Sequence, residues 1–258
     1  MSADYRRDGA RTPLAREDRI SPAPHRGGMT WDVLRAVVSA RMAETGRQAL
    51  DIVDVGGGTG GLAVPFAALG HNVTVVDPSP DALAAAQRRA AEAGARLTSV
   101  QGEASSLDGV AGVAAADLII CHNVLEYVES PADAMSSIAR VLRPSATVSV
   151  LASNVVAAVL HRALAGRFAE ARALLVSSAP AAVTTPRRFT LPELTALIEA
   201  AGLRAGEVHG LRVFGGLIPG ALLDGDAAAD ALRALEEAAA STPPLRDIAA
   251  QLHVLGHR

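Results

Sequence analysis

The residues whose types and spacing could do chemistry gather first between Leu50 and Gly61, in the string LDIVDVGGGTGG. Gly56, Gly57 and Gly58 let a backbone turn sharply and come close to a ligand, and Asp54 stands just ahead of them. A diphosphate resting on a following helix N-terminus is repelled by a carboxylate at that place. A ligand with a cationic end is drawn to it. Asp77 lies about 20 residues beyond Gly56, the separation at which an acidic side chain takes the two hydroxyls of a ribose with its two oxygens. Together these residues select a positively charged, phosphate-free adenosine over a dinucleotide.

The elements that must position these groups follow from apolar period and turn residues. Leu50–Val55 alternates and is β-branched, so a strand is expected there, with a short helix over Leu62–Leu69. Further strands are expected at Asn72–Val76, Leu97–Val100, Ala116–Cys121, Thr147–Leu151, within Leu203–Phe214 and at Leu252–Leu255. Helices are expected at Thr30–Met42 with Thr30 as cap, from Pro80 behind a Ser79 cap to Ala93, and over Pro131–Leu142, where Pro144 closes the unit. A capping box, Thr190 with Glu193, opens the helix that ends at Gly202, and Ala227–Ala240 is a last helix. Strands alternating with helices make the fold class α/β: a doubly wound, mostly parallel seven-stranded sheet, Rossmann-like, with a small helical cap insertion. The cap is residues 152–188, with helices over Val155–Leu164 and Phe168–Val176 joined at Gly166. Residues 1–28 read as a mobile tail rich in Arg, Asp, Pro and Gly, ahead of a single domain over 29–258.

Composition narrows the class. The net charge is −3 over 258 residues, and every strong base is Arg, so no overall basic field for nucleic acid is expected, only a local Arg patch. One cysteine, Cys121, excludes an intrachain disulfide and fits a reducing cytoplasm. The longest apolar stretch, Thr147–Leu160, is broken by Ser149, Ser153 and Asn154 and is too short to span a bilayer. The expectation is a cytoplasmic protein with no membrane partner and no bound metal. The sequence leaves its oligomeric state open.

The string Asp54–Gly60 (DVGGGTG) resembles the first motif of the class I S-adenosylmethionine-dependent methyltransferases, whose cofactor carries an ammonium and a sulfonium and no phosphate. A narrower resemblance is to the tRNA 5-carboxymethoxyuridine methyltransferases. It rests on His122, Leu125-Glu126-Tyr127, Asn154, His161, Gly166, Phe168, Leu211–Phe214 and His253 in order. It implies cofactor contacts at Arg26, Gly56, Gly57, Asp77, the adenine-loop pair Ala104 and Ser105, and His122, with a wobble-uridine carboxylate as acceptor and tRNA as partner. Ser145-Ala146 and the loop Ala181–Arg188 depart from that family, the latter keeping only Arg187 and Arg188 as bases.

The chemistry expected is an in-line displacement, in which alignment supplies much of the acceleration. A carboxylate acceptor is ionised near neutral pH and needs only a cationic guide; Arg162, Arg187, Arg188 and Arg212 are candidates. A hydroxyl or amine acceptor calls for a base, and His122, His161 and Glu126 are candidates. Asp108 is a candidate acceptor for the adenine amino group or a solvent residue. The alternatives are a small-molecule carboxylate or hydroxyl acceptor, and a non-catalytic binding module built on the cofactor fold.

Overall fold

The computed structural model describes residues 28–110, 112–113, 115–176, 186–218 and 225–258. Seven strands form one sheet: β1 (Asp51–Val55), β2 (Asn72–Asp77), β3 (Thr98–Gln101), β4 (Ala116–His122), β5 (Leu142–Ser153), β6 (Arg204–Leu211) and β7 (Gln251–His257). Their spatial order is β3-β2-β1-β4-β5-β7-β6. β1 to β5 pair in parallel, and β7 runs antiparallel to both β5 and β6. Hydrophobic period reports that a strand exists and not which way it runs, so this reversal was not visible in the sequence. The expected strands and helices otherwise stand within a few residues of their predicted places.

Helices α1 (Met29–Thr45), α2 (Ala63–Ala68) and α3 (Pro80–Glu92) cover one face. There Trp31, Leu34, Leu50, Ile52, Phe66, Val75, Leu118 and Ile120 form a buried cluster, with the Trp31 and Phe66 rings 4.6 Å apart. α4 (Pro131–Val141) and α7 (Leu191–Ala200) cover the other face over an aliphatic core that includes Val53, Ile119, Met135, Ile138, Val148, Leu194 and Val254. α5 (Val155–Leu164) and α6 (Phe168–Val176) form the cap, and α8 (Asp226–Ala239) precedes β7. The insertion leaves and rejoins the sheet at one point, because Asn154 bridges Phe189. None of the described helices is long and apolar enough to cross a membrane.

Two local expectations are corrected. α1 is capped by Gly28, whose carbonyl accepts the amides of Trp31 at 2.8 Å and Asp32 at 3.2 Å. Thr30 therefore lies inside the first turn and caps nothing. Pro144 does not close its unit, since β5 already begins at Leu142. The ladder to β4 jumps from the Ala116–Leu142 pair to the Leu118–Thr147 pair. A proline inside such a bulge removes no needed hydrogen bond. The connector 177–185 and the tail 1–27 lie outside the described residues.

Candidate cofactor and acceptor site

Everything chemical converges on the carboxyl ends of β1, β2 and β4, the edge where open parallel sheets hold ligands. Asp54 is buried at 4 % exposure on β1. Burial pushes its carboxyl up to about 7; the Ala63 amide opposes this and the charge of Asp77 adds to it. A buried carboxylate is stable only when paired or neutralised, and this one has a backbone donor but no described cation beside it. Gly56 sits at φ +64°, and a Cβ there would stand 2.4 Å from Val124 Cγ2. A Cβ on Gly57 would stand 2.6 Å from the Asp54 carboxyl. The turn is thus closed to side chains at Gly56 and Gly57. Gly58 donates its amide to Asp77 Oδ2 at 2.9 Å, and Ser79 donates to Oδ1 at 2.9 Å. Each oxygen keeps a further lone pair, so the orientation fixed by two amides leaves Asp77 able to accept ribose hydroxyls.

Ala104 is buried and Ser105 half-buried at the start of a 3-10 turn, Ala104–Gly109, that follows β3. Asp108, near the end of that turn, is exposed and reaches α4. It accepts from Arg140 Nε at 2.6 Å and from the Ser137 hydroxyl. Arg140 first and Ser137 second hold it down at about 2. Arg26 lies outside the described residues.

His122 ends β4 on the same sheet face as Asp54, by the register Asp54–Ile120. Its Nε2 is 2.7 Å from Ser149 Oγ. That hydroxyl is also 2.7 Å from Nε2 of His253, which is fully buried. Burial lowers the basicity of His122 to about 3 and that of His253 well below its ordinary value. His209 stacks on His253 with centroids 5.5 Å apart. Of this cluster the sequence singled out His122 as a site candidate and His253 only as part of the resemblance; Ser149 joins them because β5 lies beside β4.

A second group lies around the cap. Val124, in contact range of Gly56, leads to Glu126, whose Oε1 accepts the Ser153 amide at 2.8 Å. Glu126 is buried, its carboxyl is pushed up by that burial, and Oε2 has no partner among the described residues. The Glu126 carbonyl accepts the amide of Arg187 at 3.0 Å, and the guanidinium Nη1 of Arg187 is buried without a partner among the described residues. Arg188 adds a positive potential at Glu126. His161 packs over Gly216, whose Cβ would stand 2.7 Å from the ring, and the charges of Arg212 and Arg162 act on it. Arg162 is engaged with Glu170 at 3.4 Å and with the Ala158 carbonyl at 3.1 Å. The structure therefore places His122 with the histidine cluster, and His161 with Arg212 at the cap. A groove of about 580 Å³ between α1 and β5–β7 lies at the opposite end of the strands, by Arg41, Ser145 and His257, and shares none of these residues.

A glycine turn with a buried anion beneath it and an acidic ribose site beside it defines an adenosine-binding domain. Residues 53–150 match the family described as "Methyltransferase domain". The chain is 33% identical over 145 residues to a tRNA 5-carboxymethoxyuridine methyltransferase of Escherichia coli (strain K12), covering 55% of this chain and 54% of that protein. It thus spans about half the length of the first curated relatives it matches. It is 30% identical over 179 residues to a ubiquinone biosynthesis O-methyltransferase of Xanthomonas axonopodis pv. citri (strain 306), covering 67% of this chain and 70% of that protein. The fold is shared with the magnesium protoporphyrin IX methyltransferase of Synechocystis PCC 6803, at TM-score 0.54 and 15% identity, over 90% of this chain and 88% of that one. The chain belongs to the class I S-adenosylmethionine-dependent methyltransferases. The residues present fit that cofactor: a buried carboxylate short of a cation among the described residues, a turn with no room for a Cβ at Gly56 or Gly57, and an acid with free lone pairs.

Proposed function

We propose that this chain transfers a methyl group from S-adenosylmethionine to an acceptor carboxylate, with 5-carboxymethoxyuridine in tRNA as the acceptor. Asp54 would face the cationic methionine end, Gly56–Gly58 the cofactor's flat surface, Asp77 the ribose, and Ala104 and Ser105 the adenine. When bound, the cofactor supplies an electrophilic methyl group on a sulfonium. The protein's own task is alignment and exclusion of water. The observation that favours a carboxylate is Arg187: its buried Nη1 lacks a partner among the described residues, beside a loop that reaches back to Gly56 through Glu126 and Val124. A guanidinium held that way suits the two-pronged capture of a carboxylate.

One observation favours a hydroxyl acceptor instead. Glu126 carries a buried Oε2 without a partner among the described residues and a raised carboxyl pKa, the state of a general base. The two readings separate in one assay. Purified chain and radiolabelled cofactor are given unmethylated tRNA or a small-molecule extract, and the product is treated with mild alkali. A carboxylate acceptor yields an ester that releases its label as methanol; a methyl ether keeps it. Under the carboxylate reading Arg187→Ala lowers kcat/KM by about 10- to 100-fold while Glu126→Gln changes kcat by less than about threefold. Alkali-stable label on a small molecule, with loss of activity in Glu126→Gln, would overturn it.

A further inference from the structure

The contacts of Ser149 fix where protons sit on two histidines. Its Oγ lies 2.7 Å from Nε2 of His122 and 2.7 Å from Nε2 of His253. A hydroxyl brings one hydrogen, and two contacts of that length need two. Both rings are neutral, because burial drives their protonation far below neutral pH. One ring therefore carries its hydrogen on Nε2 and gives it to Ser149, and the other carries its hydrogen on Nδ1 and receives the serine's.

Two assignments satisfy this count, and burial separates them. Nδ1 of His253 is buried without a partner among the described residues, whereas His122 is only half-buried and its Nδ1 is not sealed off in that way. If His253 held its hydrogen on Nδ1, an N–H would be sealed away unpaired. With the hydrogen on Nε2, only a lone pair is left there, and the free N–H falls on His122 Nδ1, where ligand or water can meet it. An orphaned buried donor is the rarer arrangement in folded proteins.

We infer that Ser149 and His253 are positioning residues that hold His122 as the Nδ1–H tautomer, so that at the cofactor pocket it presents a hydrogen-bond donor and not a base. The proton order runs from His253 Nε2–H to Ser149 Oγ, and from Ser149 O–H to His122 Nε2. The partner His122 would meet is an oxygen of the cofactor, a carboxylate or a ribose hydroxyl. This rests on the cofactor pocket described above.

Imidazole ¹⁵N shifts in the ligand-free protein at neutral pH give the tautomers directly, whether or not any cofactor binds. The expected result is His122 protonated on Nδ1 and His253 on Nε2; the reverse pattern overturns the inference. The second arm is S-adenosylhomocysteine affinity by calorimetry. Ser149→Ala and His253→Leu are expected to weaken it by about three- to tenfold, and His253→Gln, which keeps a side-chain N–H donor, to restore it to within about twofold of wild type. Equal loss in Leu and Gln variants, or no loss in either, would overturn the inference. Wild-type protein that does not bind S-adenosylhomocysteine would overturn the cofactor pocket alone, since the ¹⁵N shifts still decide the tautomers.

Discussion

The two sides of the site are built differently. The cofactor side, from β1 to β2, draws Asp54, Gly56, Gly57, Gly58 and Asp77 from two adjacent strand ends, and its contacts run largely through backbone amides. The side beyond β4 draws His122, Ser149 and His253 from β4, β5 and β7, and its contacts are between side chains. The side fixed by backbone geometry tolerates no change of shape, while the side built from side chains can be retuned one residue at a time.

Substitutions can break the comparison. The largest effect is expected from Gly56→Ala, whose methyl would meet Val124 at 2.4 Å at φ +64°. S-adenosylhomocysteine affinity is expected to fall by about 100-fold or more, read by calorimetry, alongside a loss of stability of about 1–3 kcal/mol. A variant that binds as well as wild type would mean that the turn is not the binding surface.

Asp54→Asn comes next and acts in two directions. The folded-state pKa of Asp54, about 7, lies above the ordinary aspartate value of 3.8. The folded chain therefore holds more protons than the unfolded chain between those values. Stability from this group is full below the lower pKa and is lost as pH rises to about 7. The deficit at pH 8 is on the order of 4 kcal/mol. Asp54→Asn should thus raise the thermal midpoint of ligand-free protein at pH 8 while weakening the cofactor by about tenfold or more. In wild type, binding of the cationic ligand should release a proton below pH 7, seen as a buffer-dependent heat, and affinity should drop as pH falls. A lower midpoint in the Asn variant would show Asp54 already paired with a cation in the empty fold.

Asn154→Ala probes the base of the cap and has the smallest reach. Asn154 Nδ2 donates to the carbonyls of Asp247 and Ala249, each at 2.8 Å, and Oδ1 caps α5 through Val156 at 2.9 Å. Losing them should cost about 2–3 kcal/mol in chemical unfolding and leave S-adenosylhomocysteine affinity within about threefold. A large loss of affinity would show that the cap and the cofactor side are one unit.

The sequence was informative where function rides on local geometry. Gly56 to Gly58 between a β-branched run and an apolar helix, with Asp77 at the end of the following strand, announced a strand–turn–helix and its ligand class together. Two of the capping residues read from the sequence locate helix starts, since Ser79 and Thr190 accept the expected amides; Ser130, which was not singled out, caps α4 in the same way. Local reading failed where tertiary contact decides. Thr30 had the right type for a cap, yet Gly28 holds the helix start. Asp108 stood open between an adenine contact and solvent, and only the fold shows it exposed and paired with Arg140 and Ser137.

By itself, then, the sequence determined the doubly wound frame and the phosphate-free character of its adenosine pocket, because period, glycine and charge act over a few residues. The antiparallel seat of β7 between β5 and β6, and with it the meeting of His122, Ser149 and His253, was decided only in three dimensions. Strand direction and neighbour choice depend on which faces can be buried together across more than a hundred residues of chain. No local pattern carries that information.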